Sequence, residues 1–251
     1  MDNNFKLYSY YYDLLYKDKD YIYETDYIDR LINQYASNAK AVIELGCGTG
    51  KHAVLLSRKG YSVLGIDRSK EMIDIAALSA SKSVTFNVGD ITSIKTDEQF
   101  DVAISLFHVV SYLTKNEQLL QTFRNLHGQL KSHGIFIFDV WYTPAVYNFV
   151  PEVRVKRLED STVKIIRVAE PVIHDRHNIV DVNYELIIEN LDDQKFTVTR
   201  EVHPMRHFSE PEMELIALQT GFRILQVEEF LTGNEPSKST WGVCFVLQKY
   251  N

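Results

Sequence analysis

The stretch Val42-Ile43-Glu44-Leu45-Gly46-Cys47-Gly48-Thr49-Gly50-Lys51-His52 sets three glycines at alternate positions directly behind an apolar run. Glycine inside an element is costly, so this spacing reads as a turn that needs positive φ or as bare backbone on which a ligand lies. Three ligand classes use such a turn between a strand and a helix. A P-loop requires a glycine five places before Gly50 and a Ser or Thr after Lys51, where this chain has Leu45 and His52. A dinucleotide turn, Gly-x-Gly-x-x-Gly counted from Gly46, meets Lys51 at its third glycine, which weakens that reading without removing it. Asp67 follows Gly46 by 21 positions, the distance at which a carboxylate ending the second strand grips a ribose diol in dinucleotide and adenosyl sites alike.

The remaining acids help to separate the two. Glu44 stands just ahead of the glycines, and Asp90 follows the third strand-like run. Acids at the carboxyl ends of successive strands suit a ligand with an ammonium, ribose hydroxyls and an adenine amino group. They suit a pyrophosphate poorly, because that group wants an anion cradle. S-adenosylmethionine, phosphate-free with a cationic sulfonium and a zwitterionic tail, is the ligand these residues favour. For each acid the ordinary alternative is a solvated loop residue.

The elements that must position these groups follow from periodicity. Apolar runs at Lys40 to Leu45, Tyr61 to Ile66, Val84 to Val88, Phe100 to Leu106 and Ile135 to Val140 predict five strands. Between them lie helical patterns, among them Lys51 to Lys59 stopped by Gly60, a helix capped by Ser69 with Glu71 in its first turn, and Leu119, Phe123, Leu126 and Leu130 at helical spacing. Such alternation is the pattern of a parallel sheet covered on both faces. After Trp141 the texture changes. Thr162 to Val168, Asn178 to Glu189 and Lys195 to Val202 are rich in β-branched residues and predict antiparallel strands forming a lid or a dimer surface. Ser209-Glu210-Pro211-Glu212 matches a capping box for a helix to Thr220 closed by Gly221, and Phe222 to Phe230 with Trp241 to Gln248 predict a final antiparallel hairpin.

Composition bounds the rest. With 251 residues, 45% of them apolar, the chain can bury one full core with an elaboration. The net charge is −7 and the Lys and Arg residues are scattered, so no basic stripe suits a nucleic acid. The opening MDNNFKLYSYYYDLLYKDKDY lacks the basic and apolar regions of a signal peptide, and no apolar run approaches the ~20 residues of a membrane span, so a cytoplasmic location is expected. Cys47 and Cys244 read as reduced thiols, and neither has metal-ligand spacing.

Glu44-Leu45-Gly46-Cys47-Gly48-Thr49-Gly50, Gly65-Ile66-Asp67 with Ser69 and Met72, Gly89-Asp90 and the closing hairpin together resemble a class I S-adenosylmethionine-dependent methyltransferase, over about residues 40–140 and the C-terminal hairpin. More narrowly, the chain is similar to the N-methyltransferases that dimethylate the amino group of nucleotide-linked deoxyamino sugars. Tyr12-Asp13, Lys19-Asp20-Tyr21 with Glu24, Gly50 with His52, and Phe107 with Tyr112-Leu113 carry that likeness, together with Asp139, Trp141 and Pro144 and with Glu201, His203 and Phe208. Two departures stand out: Asp139-Val140-Trp141-Tyr142 where the family often has Glu-Pro-Trp-Trp, and Tyr112 where relatives can carry His.

The resemblance implies an α/β fold with a Rossmann-like, mostly parallel sheet, a C-terminal antiparallel hairpin and an added antiparallel β region. Residues 1–150 and 207–251 would form the cofactor-binding domain, and 151–206 an inserted lid or dimerisation region. It implies S-adenosyl-L-methionine as cofactor, held by Tyr21, Glu44, Gly46, Cys47, Gly48, Asp67, Arg68, Met72, Asp90, Ile91 and Leu106. Tyr12, His108, Trp141, Tyr142 and Arg206 would bind a small-molecule substrate, a nucleotide-linked amino sugar, with no nucleic acid or membrane partner and with a possible homodimer.

Transfer of a methyl group from a sulfonium is an in-line displacement with an activated leaving group, so the protein mainly orients a neutral nucleophile and excludes water. An amino sugar is mostly protonated near neutral pH and must lose a proton to a side chain or to water. Tyr12, Tyr112 and His203 are the catalytic candidates, with His108 and Glu201 beside them. In a chain with 15 tyrosines an aromatic cavity wall is the ordinary alternative, and His52 is expected to pack beneath the cofactor. Trp141 suits stacking on a pyranose or base. Arg154, Lys156, Arg157 and Arg206 could face a diphosphate or solvent. A methyltransferase for another small amine or hydroxyl would share every cofactor residue, a non-catalytic S-adenosylmethionine-binding regulator would share the fold, and a dehydrogenase would share Asp67.

Overall fold

The computed structural model describes residues 11–250. Residues 11–15 are helical, and the Tyr21–Tyr35 helix follows, capped by the Asp20 carboxylate accepting from Tyr23 N. No clear helical period marks this segment in the sequence, because its aromatic and charged residues dilute the apolar stripe of Ile28, Leu31 and Ile32. Five strands then build a parallel sheet: β1 (Ala41–Leu45), β2 (Ser62–Asp67), β3 (Val84–Val88), β4 (Phe100–Ser105) and β5 (Leu130–Tyr142), in the order β3-β2-β1-β4-β5. The fifth strand begins five residues earlier than its apolar run suggests.

β11 (Gly242–Lys249) runs antiparallel along β5 from Ile135 to Trp141, and β10 (Phe222–Glu229) pairs antiparallel with β11, closing the expected hairpin. Beyond the antiparallel pair β6 (Arg154–Glu159) and β7 (Val163–His174) come β8 (Ile179–Asn190) and β9 (Phe196–Phe208), the four running antiparallel to one another, while β9 meets β5 in parallel. Pairing of β4 with β5 ends at Phe138, and β9 takes over the vacated edge through Trp141 with His207 and Tyr142 with Phe208. The added strands therefore join at the carboxyl end of the parallel strands, above the glycine turn.

Strand alternation fills both faces of the sheet. Ile43, Leu45, Phe136, Phe138 and Phe245 pack with Phe123 on one side, while Val42, Ile104, Ile137 and Val246 pack with Leu31 and Leu56 on the other. Helix ends follow their local chemistry: Ser69 accepts from Met72 N, and Gly221 closes the Glu210–Thr220 helix in the left-handed region. The expected capping box at Ser209 does not form, because Arg206 holds the Glu212 carboxylate at 2.5 Å. Among the described residues no helix is long and apolar enough to cross a membrane.

Candidate active site

A cavity of about 400 Å³ opens at the carboxyl ends of β1 to β4, a volume within the usual range for small-molecule sites. Its floor is the glycine turn. Gly46 has φ 73°, and a Cβ there would lie 2.6 Å from the Val109 side chain; Gly48 has φ 53° and open space where its Cβ would be. The first glycine thus serves close packing and the second leaves backbone bare to the cavity. Asp67, ending β2, accepts from Gly48 N at 2.9 Å and Ser69 N at 2.8 Å. Burial raises its pKa even though those N–H groups pull the other way. At the end of β3, Asp90 Oδ1 accepts from Thr92 N at 2.8 Å and Thr92 Oγ1 at 2.7 Å. Met72 and Ile91 line the wall beside these acids.

Beneath the turn lies a buried chain of charge. His52 Nε2 is 2.7 Å from Glu24 Oε2, its Nδ1 is 3.6 Å from Glu44 Oε1, and Lys19 pairs with Glu24. Burial pulls the His52 pKa down, but the two carboxylates outweigh it and raise it. Burial likewise opposes ionisation of Glu24, and its bonds to His52 and Lys19 prevail. Glu44 Oε2 is buried with no hydrogen-bond partner among the described residues.

The segment at residues 11–15 crosses from this turn to the added strands. Asp13 accepts from Thr49 Oγ1 at 3.1 Å and pairs with Lys51 at 3.0 Å, while the fully buried Leu15 packs with Leu158, Ile165 and Leu186. Tyr12 and Tyr16 are thereby held over the cavity, with Tyr16 edge-on to Phe107 at 4.9 Å between ring centroids. Burial first, then the neighbouring tyrosines, push the Tyr12 phenol far above its usual pKa. Phe107 and His108 adopt φ of 67° and 62°, a strained conformation for two successive non-glycine residues. Asp139 secures it: its oxygens accept from His108 N at 3.2 and 3.3 Å, and His108 Nδ1 lies 2.7 Å away. Burial would raise the Asp139 pKa, and His108 holds it below the usual carboxylate range.

On the far wall, alternation along β9 sends Glu201, His203 and Met205 inward. Tyr112 Oη and His203 Nδ1 are 2.7 Å apart, and His203 Nε2 is 3.1 Å from Glu201 Oε2. Tyr184 of β8 stands edge-on to His203 at 4.9 Å, and Trp141 packs on Trp241 at 5.2 Å.

Of the residues singled out from the sequence, Tyr12, Gly46, Gly48, Asp67, Arg68, Met72, Asp90, Ile91, Leu106, His108, Tyr112, Trp141 and His203 line this one cavity. Five stand apart. Glu44 and Cys47 lie buried behind the glycine turn, and Tyr21 packs on His52 at 5.0 Å. Tyr142 packs against the central core, and Arg206 lies in a separate shallow groove with Asn116 and Glu212. Lys156 donates to Leu15 O at 2.7 Å and so holds chain rather than facing a diphosphate. Sequence reading missed Tyr16, Tyr184, Met205 and Trp241 in the wall. The inward period of β9 could have found Met205, whereas Tyr184 arrives through its pairing with Glu201.

A glycine turn under bare backbone, carboxylates ending β2 and β3, and a parallel sheet closed by an antiparallel hairpin define a class I S-adenosylmethionine-dependent methyltransferase. Residues 42–134 match the family described as a methyltransferase domain, and the protein is an enzyme of that class with S-adenosylmethionine as its cofactor. It resembles the dTDP-3-amino-3,4,6-trideoxy-alpha-D-glucopyranose N,N-dimethyltransferase of Streptomyces venezuelae, with 24% identity over 86% of this chain and 90% of that one. In fold it matches an S-adenosylmethionine-dependent methyltransferase from Clostridium acetobutylicum (TM-score 0.81, 20% identity, 98% of each chain). It also matches an amino pentose methyltransferase from Micromonospora echinaspora involved in calicheamicin biosynthesis (TM-score 0.76, 18% identity, 99% of each chain).

Proposed function

We propose that the protein methylates the amino group of a nucleotide-linked deoxyamino sugar. The observation that carries this reading is the continuity of the cavity: the glycine and carboxylate half runs without a break into an aromatic half that ends on the hydrogen-bonded pair Tyr112 and His203. Bound S-adenosylmethionine supplies an electrophilic methyl group on sulfur. Asp67 would bind the ribose hydroxyls, and Asp90, whose Oδ1 is held by Thr92, would offer Oδ2 to the adenine amino group between Met72 and Ile91. Glu44, Tyr21 and Cys47 would act from behind the turn, with Arg68 and Leu106 on the wall. Tyr12, His108 and Trp141 would close around the sugar and exclude water, their rings giving apolar contact and their polar atoms hydrogen bonds.

The same reading takes a second copy of the chain on the outward face of β6 to β9, where Val155, Val172, Phe196, Val198 and Val202 are exposed on neighbouring strands. The test of the activity is incubation with S-adenosylmethionine and dTDP-3-amino-3,6-dideoxyglucose, followed by mass spectrometry. A sugar nucleotide carrying one or two added methyl groups is expected. Turnover of simple amines or phenols with every amino-sugar nucleotide left untouched would overturn the substrate class.

A further inference from the structure

Resting on the amine-methylation reading, we propose that Glu201 is a positioning residue that orients His203 and faces the positive charge formed there, so that His203 takes the substrate ammonium's proton through the Tyr112 hydroxyl. Hydrogen placement fixes the direction of these contacts. Glu201 as a carboxylate can only accept, so His203 Nε2, 3.1 Å from Glu201 Oε2, carries the hydrogen of the neutral ring. That leaves Nδ1 bare, and at 2.7 Å it accepts from the Tyr112 hydroxyl. The Tyr112 oxygen retains lone pairs, and Tyr112 and His203 both line the cavity. All three groups are therefore aligned in one direction, from cavity to carboxylate.

A second observation is independent of that alignment. Glu201 is 2% exposed, and its other oxygen, Oε1, is buried with no hydrogen-bond partner among the described residues. A buried carboxylate with one oxygen bare is costly, and such a group calls for an explanation. A positive charge arriving on His203 supplies one, since Glu201 is the acid in direct contact with that ring. Burial keeps the Tyr112 phenol protonated, far above its usual pKa, so it relays a proton and holds no charge.

The step balances. An N–H bond of the ammonium breaks as its proton goes to the Tyr112 oxygen, while the Tyr112 O–H proton passes to His203 Nδ1. The result is a neutral amine, a neutral phenol and an imidazolium facing Glu201. Among the described residues, the pair is also flanked by Tyr12, which interacts with Tyr112, by Tyr184 of β8, edge-on to His203, and by Arg167 of β7, whose guanidinium carbon is 5.2 Å from the Tyr184 ring centroid. Tyr16 stands beyond them, and Arg68 acts on Tyr112 from the cofactor side. These cations oppose an imidazolium, and Glu201, 3.1 Å from the ring, favours it.

The test compares wild type with the near-isosteric Glu201→Gln. In 15N-detected imidazole spectra, neutral His203 should carry its hydrogen on Nε2 in wild type, and the share of that tautomer should fall in the variant. With dTDP-3-amino-3,6-dideoxyglucose, kcat should drop about 10- to 100-fold at neutral pH with KM little changed. The deficit should shrink as pH rises, because solvent then deprotonates the amine without His203. A purely structural loss would lower kcat equally at every pH, and that result, or an unchanged His203 tautomer, overturns the proposal. If wild type methylates no amino-sugar nucleotide, the substrate reading fails by itself, and the imidazole tautomer still decides whether Glu201 orients His203.

Discussion

Asp67 shows how one carboxylate ties local structure to ligand affinity. Its two oxygens each accept one backbone N–H, from Gly48 and Ser69, so the same group shapes the glycine turn and starts the next helix. The lone pairs left over face the cavity. Replacing it with Ala should weaken S-adenosylmethionine binding by about 1.5–3 kcal/mol, roughly 10- to 150-fold, the usual worth of a charged hydrogen-bonding group. Calorimetry with S-adenosylhomocysteine checks this, and unchanged affinity would remove Asp67 from the cofactor site. Residues of this kind were legible because glycine spacing and a carboxylate 21 positions on are local signals. The far wall was legible only in part. Tyr112 and His203 are 91 positions apart, and nothing near either one announces the hydrogen bond between them. The left-handed Phe107 and His108 were not legible at all, since the support for their conformation comes from Asp139 on another strand.

At the scale of elements, the junction of β5 and β9 decides whether the wall carrying His203 stays in place. It consists of two residue pairs, and His207 is in one of them. His207 is fully buried; Thr143 Oγ1 meets its Nδ1 at 2.9 Å, and its Nε2 has no partner among the described residues. Burial, then the charge of Arg206, pushes its pKa down to about 4, against a smaller opposing pull from Asp175. The folded state thus binds fewer protons here than the unfolded state between about pH 6.5 and 4, so stability falls as pH falls through that window. The loss should reach about 3 kcal/mol at most. His207→Gln should flatten the pH dependence of denaturant unfolding in that range, and an unchanged slope would show that other groups cause it. This junction could not be read from the sequence. Strand existence follows from alternation, but which edge a strand joins depends on where β4 stops, and the same limit applies to the unformed cap at Ser209, whose Glu212 is held by Arg206.

For the whole molecule, the alternating elements made the parallel sheet and its closing hairpin readable, and the β-branched texture after Trp141 marked an antiparallel region. What that region does with its two faces emerges only from register. Its inward face is covered by Leu15 and by the cavity. The outward face gathers Val155, Ile166, Val168, Ile187 and Val198 on successive strands, with the Glu185 and Arg200 ion pair among them and Phe196 at 66% exposure. An apolar sheet face of this kind is suited to a twofold contact, in which the same patch meets itself and buries its centre. Wild type should therefore sediment as a dimer at micromolar concentration, and Phe196→Asp combined with Val198→Glu should sediment as a monomer with cofactor affinity retained, because neither side chain reaches the cavity. The strands supporting His203 would then lose their outer cover, so the double variant should also show faster hydrogen exchange along β9. A monomeric wild type at every concentration tested would mean that this face is covered by something other than a second copy.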